Sequence, residues 1–232
     1  MTSAAVGIRE TLVEERARLS GGASGAAIYA MVARALERRG IEGGIFYDVG
    51  CGAGGLWPHV GARFGRYVGV DAVRYEALRA EVEFERADLD RLPTPLPAES
   101  ADVAASVETI EHLENPRAFV REMSRLTKPG GWVVVTTPNQ LSLLSLMTLV
   151  CKGRFNQFQE ADYPAHLTAL LEVDLRRIAA ECGLEDVAVE YSGEGRVVFT
   201  PRHYPRALAS LAPRLFSDNL LLIGRKRARA SL

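Results

Sequence analysis

The stretch FYDVGCGAGG, Phe46–Gly55, sets an apolar run and one carboxylate, Asp48, before four glycines in six residues. An apolar strand that ends in a glycine-rich turn brings its backbone close to a nucleotide-like ligand at the start of a helix. Which ligand, and why an acid stands at the mouth of the turn, decides the reading of the chain.

Outward from that turn, short apolar strands alternate with helical patterns. IFYDV (45–49) leads to a helix over 55–64, RYVGV (66–70) to a short helix near 74–80, then come VEFE (82–85) and ADVAAS (101–106), a helix over 116–127, and GWVVVTT (131–137). This order predicts an α/β fold, a Rossmann-like sheet, mostly parallel, with helices on both faces. Asn115 and Pro116 suit the N-cap and first position of the helix over 116–127, and Phe119, Met123 and Leu126 form its buried stripe. A further helix carries Leu171, Leu175, Ile178 and Cys182 on one face and ends at Gly183. LEDVAVEY (184–191) and NLLLIG (219–224) follow without a regular crossover helix between them, which predicts a seven-stranded sheet whose last strand is antiparallel.

The whole chain, 1–232, reads as one domain. Residues 1–40, with helical spacing over 8–19 and 26–38, form an N-terminal cover, and 140–168 an inserted substrate lid. In the lid LSLLSLMTLV (141–150) is apolar on nearly all sides, with a narrow polar line of Ser142, Ser145 and Thr148. It is either a buried helix or an apolar wall that closes over a lipid-like acceptor and touches a membrane surface. The segment 193–218 adds a further wall, and His59 and His203 are expected on the surface.

Composition narrows the partners. The chain has 232 residues, 47% hydrophobic and 25% charged, with a formal net charge of −1, which argues against nucleic acid. A short basic tail starts at Arg225. Cys51, Cys151 and Cys182 are odd in number and widely spaced, the pattern of a reducing, cytoplasmic setting rather than a disulfide framework or a zinc site. The longest apolar stretch is too short to span a bilayer.

The glycines alone leave the ligand open, since Gly50, Gly52 and Gly55 fit one nucleotide fingerprint and Gly50, Gly52 and Gly54 another. Asp48 discriminates. Beside a pyrophosphate it would be repelled, whereas S-adenosylmethionine carries an amino group and a sulfonium that an acid attracts. Asp71, at the end of RYVGVD, suits ribose hydroxyls in either case, and Asp88 in ERADLD suits an adenine amino group.

DVGCGAG, VD, ADLDRLP, PAESADV, EHLENP, KPGG and TTPN, in that order over residues 40–192, resemble the class I S-adenosylmethionine-dependent methyltransferases. The resemblance implies Asp48, Gly50, Cys51, Gly52 and Gly54 around the methionine part, Asp71 and Ala72 at the ribose, and Asp88 and Leu89 near adenine. It implies an enzyme that methylates a small molecule, most naturally at oxygen. An NAD-dependent oxidoreductase and a non-catalytic cofactor-binding partner are the alternatives.

In SVETIEHLENP, Glu108, Glu111 and His112 stand at i, i+3 and i+4, a spacing that shares one face of a helical turn. The arrangement resembles the ExxEH motif of ubiquinone-biosynthesis O-methyltransferases and of small-RNA 2'-O-methyltransferases. That resemblance implies a divalent ion, Mg2+ or Mn2+, on Glu108, Glu111 and His112, with His166 as a further ligand. A metal-free His112 acting as base with Glu108, and a structural role, stay open beside it. The pattern around His166 departs from the RNA enzymes, which leaves a small, apolar or lipid-like acceptor. Oligomeric state is not legible.

Overall fold

The computed structural model describes residues 13–15, 17–198 and 200–228. Half of the helix expected over 8–19 lies outside them; within them 13–15 and 17–19 are helical. The first full helix, α1, is Ala26–Glu37, and the sheet is built from β1 (Ile45–Val49), β2 (Arg66–Asp71), β3 (Glu83–Arg86), β4 (Ala101–Ser106), β5 (Thr127–Pro138), β6 (Leu184–Tyr191) and β7 (Asn219–Lys226). Its order is β3-β2-β1-β4-β5-β7-β6. The pairs among β1 to β5 are parallel, and β7 lies antiparallel between β5 and β6.

Alternation within each strand explains the two layers. Tyr47, Val49, Val133, Val135, Leu220 and Leu222 pack under α3 (Pro116–Leu126) and under α5 (Glu172–Glu181). Phe46, Val103, Val134, Leu221 and Ile223 point the other way, against Ile28, Met31, Val32 and Leu36 of α1. Strands covered on both faces need an unbroken apolar run rather than apolar-polar alternation, and VVV in β5 and LLLI in β7 supply it. Each such side chain contributes about 1.5–3 kcal/mol by leaving water. Asn115 caps α3 by accepting from Ala118 N at 3.0 Å, with Pro116 next in the helix. Arg38 and Arg39, just past α1, pair with Glu190 of β6 and tie the cover to the sheet edge.

Two expected helices are corrected. The helix over 55–64 is one turn, α2 (Trp57–Val60), followed by a 3-10 turn Gly61–Arg63. Residues 74–80 form turns, not a helix; Tyr75 instead donates its hydroxyl back to Ala17 O of the N-terminal cover. The lid segment contains α4 (Leu143–Lys152), whose polar line faces inward. Ser142, Ser145 and Thr148 are buried, while Leu149 and Val150 are exposed. The buried hydroxyls are satisfied locally: Ser142 caps Ser145 N, Ser145 donates to Gln140, and Thr148 donates to Leu144 O.

Candidate functional site

Parallel strands end together, so the loops after β1, β2, β3 and β4 gather at one edge of the sheet, where doubly wound folds hold their ligands. A cavity of about 420 Å³ opens there. Among its lining residues are Asp48, Gly50, Cys51 and Gly52 from the first loop, Asp71 and Ala72 from the second, Asp88 and Leu89 from the third, and Glu108, Glu111 and His112 from the fourth. His166 reaches it from the lid, Arg196 and Asp218 from the segment before β7, Asn219 from the start of β7, and Ser20 to Tyr29 roof it.

The glycine turn is shaped by close approach. Gly50, Gly52 and Gly54 all have positive φ, so the GxGxG reading describes the backbone and Gly55 plays another part. A Cβ on Gly52 would lie 2.2 Å from Gly22 O, and one on Gly50 2.2 Å from Thr109 Oγ1. Ala53 N donates to Gly22 O at 2.8 Å, which locks the N-terminal cover onto the turn. Gly54 is absent from the cavity lining and instead backs onto Leu78.

Asp71 accepts from Gly52 N at 2.9 Å and from Val73 N at 3.3 Å, so the acid at the end of β2 also braces the glycine turn. Burial pushes its carboxyl up, opposed by these amide bonds. Asp48 is buried, and its Oδ2 accepts from Tyr67 OH at 2.7 Å. Burial pushes Asp48 up to about 7 against that hydrogen bond, and the charge of Asp71 adds to the rise. Burial likewise pushes the Cys51 thiol up, so it lines the cavity as an inert neutral group. Asp88 accepts from Asp90 N at 3.0 Å and pairs with Arg91 at 3.5 Å.

The ExxEH stretch does not form one helical turn. Glu108 adopts φ 49 and only Ile110–His112 is a 3-10 turn. Glu108 therefore stands apart from the other three. Its N–H donates to Thr136 Oγ1 at 3.0 Å, that hydroxyl donates to its Oε1 at 3.0 Å, and Asn219 Nδ2 donates to its Oε2 at 2.7 Å. Desolvation raises Glu108 to about 7 despite these donors.

Glu111, His112 and His166 do converge: each offers a ligand atom, and these lie within 4.8 Å of one another. The lid supplies the contact, because Leu167 N and Thr168 N donate to Glu111 O at 2.9 and 3.0 Å. Nδ1 of His112 meets Ala165 O at 2.9 Å, and Nδ1 of His166 meets Gln157 O. With carbonyls as acceptors, both Nδ1 atoms carry a hydrogen, which makes Nε2 the ligand atom that each neutral ring offers. Glu111 Oε2 accepts from Thr137 Oγ1 at 3.2 Å, while its Oε1 is buried with no hydrogen-bond partner among the described residues. Burial first, and the charge of Glu108 second, push the Glu111 carboxyl well above the usual range.

The family of proteins described as "Methyltransferase domain" matches residues 47–135, the span that holds the glycine turn and the first five strands. Over that span, less than half of its length, the chain is similar to the methyltransferase domain family. It is 30% identical over 120 residues to a ubiquinone biosynthesis O-methyltransferase of Leptothrix cholodnii, covering 47% of this chain and 51% of the relative. With the enzyme of that name from Idiomarina loihiensis it shares 27% identity over 159 residues, 65% of each chain. The chain thus spans between half and two thirds of these relatives. A SAM dependent methyltransferase from Archaeoglobus fulgidus has the same fold, with a TM-score of 0.58 at 20% identity over 85% of this chain and 94% of the other.

Thr137, Gln157, Arg196, Asp218 and Asn219 were not singled out from sequence. Thr137 and Asn219 carry a weak signal, polar residues at the cavity end of apolar strands. Arg196 and Asp218 carry none, since they meet only through the fold of the segment before β7.

Proposed function

We propose that the protein transfers the methyl group of S-adenosylmethionine to an oxygen of a small-molecule acceptor. The observation that carries the reading is one cavity lined at one end by the glycine turn and Asp71 and at the other by Glu111, His112 and His166. The alternative of an NAD-dependent oxidoreductase is disfavoured by Asp48, which offers a pyrophosphate no attraction and, once ionised, repels it. Bound there, S-adenosylmethionine would supply an electrophilic methyl carbon on a sulfonium.

In this reading Asp48 and the backbone of Gly50 to Gly52 hold the methionine part, Asp71 and Ala72 the ribose, and Asp88 and Leu89 the adenine. His112 orients the acceptor hydroxyl and takes its proton on Nε2 as the oxygen attacks; Ala165 O steadies the ring by accepting from Nδ1. Glu108, near 7, is a second proton-exchanging group in the cavity. The roof of residues 20–29 and the lid exclude water from the reacting atoms.

A divalent ion fits this site. Glu111 Oε1 is a buried carboxylate oxygen with no hydrogen-bond partner among the described residues, and two imidazoles beside it each carry a hydrogen on the carbonyl-bound nitrogen. As the alternative to His112 acting as a metal-free base, Glu111, His112 and His166 would hold Mg2+ or Mn2+, which would lower the pKa of an alcohol or catechol and leave Glu108 to take the proton. Glu108 is not needed as a ligand. The exposed Leu149 and Val150 support peripheral contact with an apolar or lipid surface, and the widely spaced cysteines support a cytoplasmic setting.

The test is methyl transfer from tritiated S-adenosylmethionine to a panel of catechols, vicinal diols and simple phenols, with and without Mn2+. Label in an ether product, lost in His112→Ala, supports the reading. Label only on nitrogen or carbon contradicts the oxygen acceptor.

A further inference from the structure

A second cavity, of about 270 Å³, lies against α4 and meets the main one at Arg196, which lines both. Its lining holds two cations, Lys152 and Arg196, four neutral hydrogen-bonding side chains, Thr148, Asn156, Gln159 and Thr200, two apolar residues and no acid. Among the described residues Lys152 makes no ion pair, and the side-chain amide of Asn156 makes no hydrogen bond.

Arg196 is aimed by Asp218. Oδ2 of that carboxylate accepts from Arg196 N at 3.1 Å and from Nε at 3.2 Å. The contact engages the inner edge of the guanidinium, and among the described residues neither η-nitrogen is hydrogen-bonded. Asp218 offsets the charge of Arg196 but leaves its fork presented, while Lys152 adds a positive charge that no acid in this lining offsets. Planar forks of this kind pair with carboxylate or phosphate oxygens through charge-assisted hydrogen bonds.

We infer that this second cavity binds an anionic group of the acceptor, a carboxylate or a phosphate, on Lys152, Arg196 and the Asn156 amide. The inference rests on the methyltransferase reading for the identity of its ligand as the acceptor. Because Arg196 stands where the two cavities join, it selects acceptors that carry an anion away from the reacting oxygen, and neutral acceptors of the same shape bind more weakly.

The test uses inorganic phosphate and benzoate as probes on the purified full chain, with and without S-adenosylhomocysteine, read by phosphorus and proton line broadening. Saturable binding of either probe is expected, weakened about tenfold in Lys152→Gln and in Arg196→Gln, the loss of one charge-assisted contact. The probe that binds more tightly tells phosphate from carboxylate. Failure of both probes to bind saturably, or binding that either substitution leaves unchanged, overturns the inference. S-adenosylhomocysteine binding, measured in the same samples, reports on the methyltransferase reading separately and shows that the variants are folded.

Discussion

The imidazoles of His112 and His166 meet edge to face, their ring centroids 4.7 Å apart, although one belongs to the loop after β4 and the other to the lid. Two backbone bonds from the lid to Glu111 O create the meeting, so the lid is a structural part of the site and not a flap over it.

Metal binding follows from that geometry. Mn2+ titrated into the protein with S-adenosylhomocysteine present, and followed by electron paramagnetic resonance, is expected to saturate. His112→Ala, His166→Ala and Glu111→Gln each lower the affinity by at least about 10–100-fold, the range found when a metal site loses only an outer-shell partner of a ligand. Glu108→Gln leaves it within a few-fold. Equal loss in Glu108→Gln and His166→Ala would return Glu108 to the ligand set.

The turn at Gly52 sets a steric limit. Gly52→Ala puts a Cβ against Gly22 O in a backbone conformation with φ 51. The cover over residues 20–29 must shift, at a cost of about 1–3 kcal/mol. Thermal unfolding is expected several degrees lower, with weaker S-adenosylhomocysteine binding, and an unchanged melting temperature would contradict the packing described.

These outcomes bear on how much the sequence discloses. The sheet was legible because buried parallel strands demand apolar runs such as VVV in β5, which periodicity reads directly. The ligand turn was legible because three left-handed positions leave little choice but glycine. The helices at 55–64 and 74–80 were over-read, since the glycine turn and its partner Tyr75 spend those residues on contacts with the N-terminal cover. Glu108 was grouped with Glu111 and His112 on spacing, yet its positive φ breaks the helical turn that spacing assumed. The polar line of α4 was visible, but not its direction; that depends on Gln140 and Asn156, which meet Ser145 only in the folded chain.

Acidity of Asp48 predicts a pH dependence. Its ordinary value is 3.8 and burial holds it near 7, so between those values the folded protein keeps a proton that the unfolded chain releases. Stability without ligand therefore falls as pH rises through that window and levels off above about 7. Asp48→Asn makes the fall shallower in melting temperatures taken from pH 5 to 8. An identical slope in both proteins would contradict the buried, raised carboxyl.

Glu122 predicts the opposite sign. Burial pushes it up, but the Arg125 guanidinium and the Thr94 N–H and hydroxyl outweigh that and hold it below the usual range. Its contribution is present above the ordinary glutamate value and is lost as pH falls through the lowered one. Glu122→Gln, which breaks the ion pair that pins the loop before β4, is expected to cost about 1–3 kcal/mol at neutral pH by denaturant unfolding. A neutral effect would show that the loop at Thr94 is held by other contacts.

The central claim is that the cavity behind the glycine turn receives S-adenosylmethionine. Calorimetric titration with S-adenosylhomocysteine tests it most directly, with NAD as the competitor and Asp71→Ala as the control variant. The account predicts saturable binding of S-adenosylhomocysteine, weakened at least about tenfold in Asp71→Ala, and no binding of NAD. Binding of NAD in place of S-adenosylhomocysteine, or of neither, would contradict it.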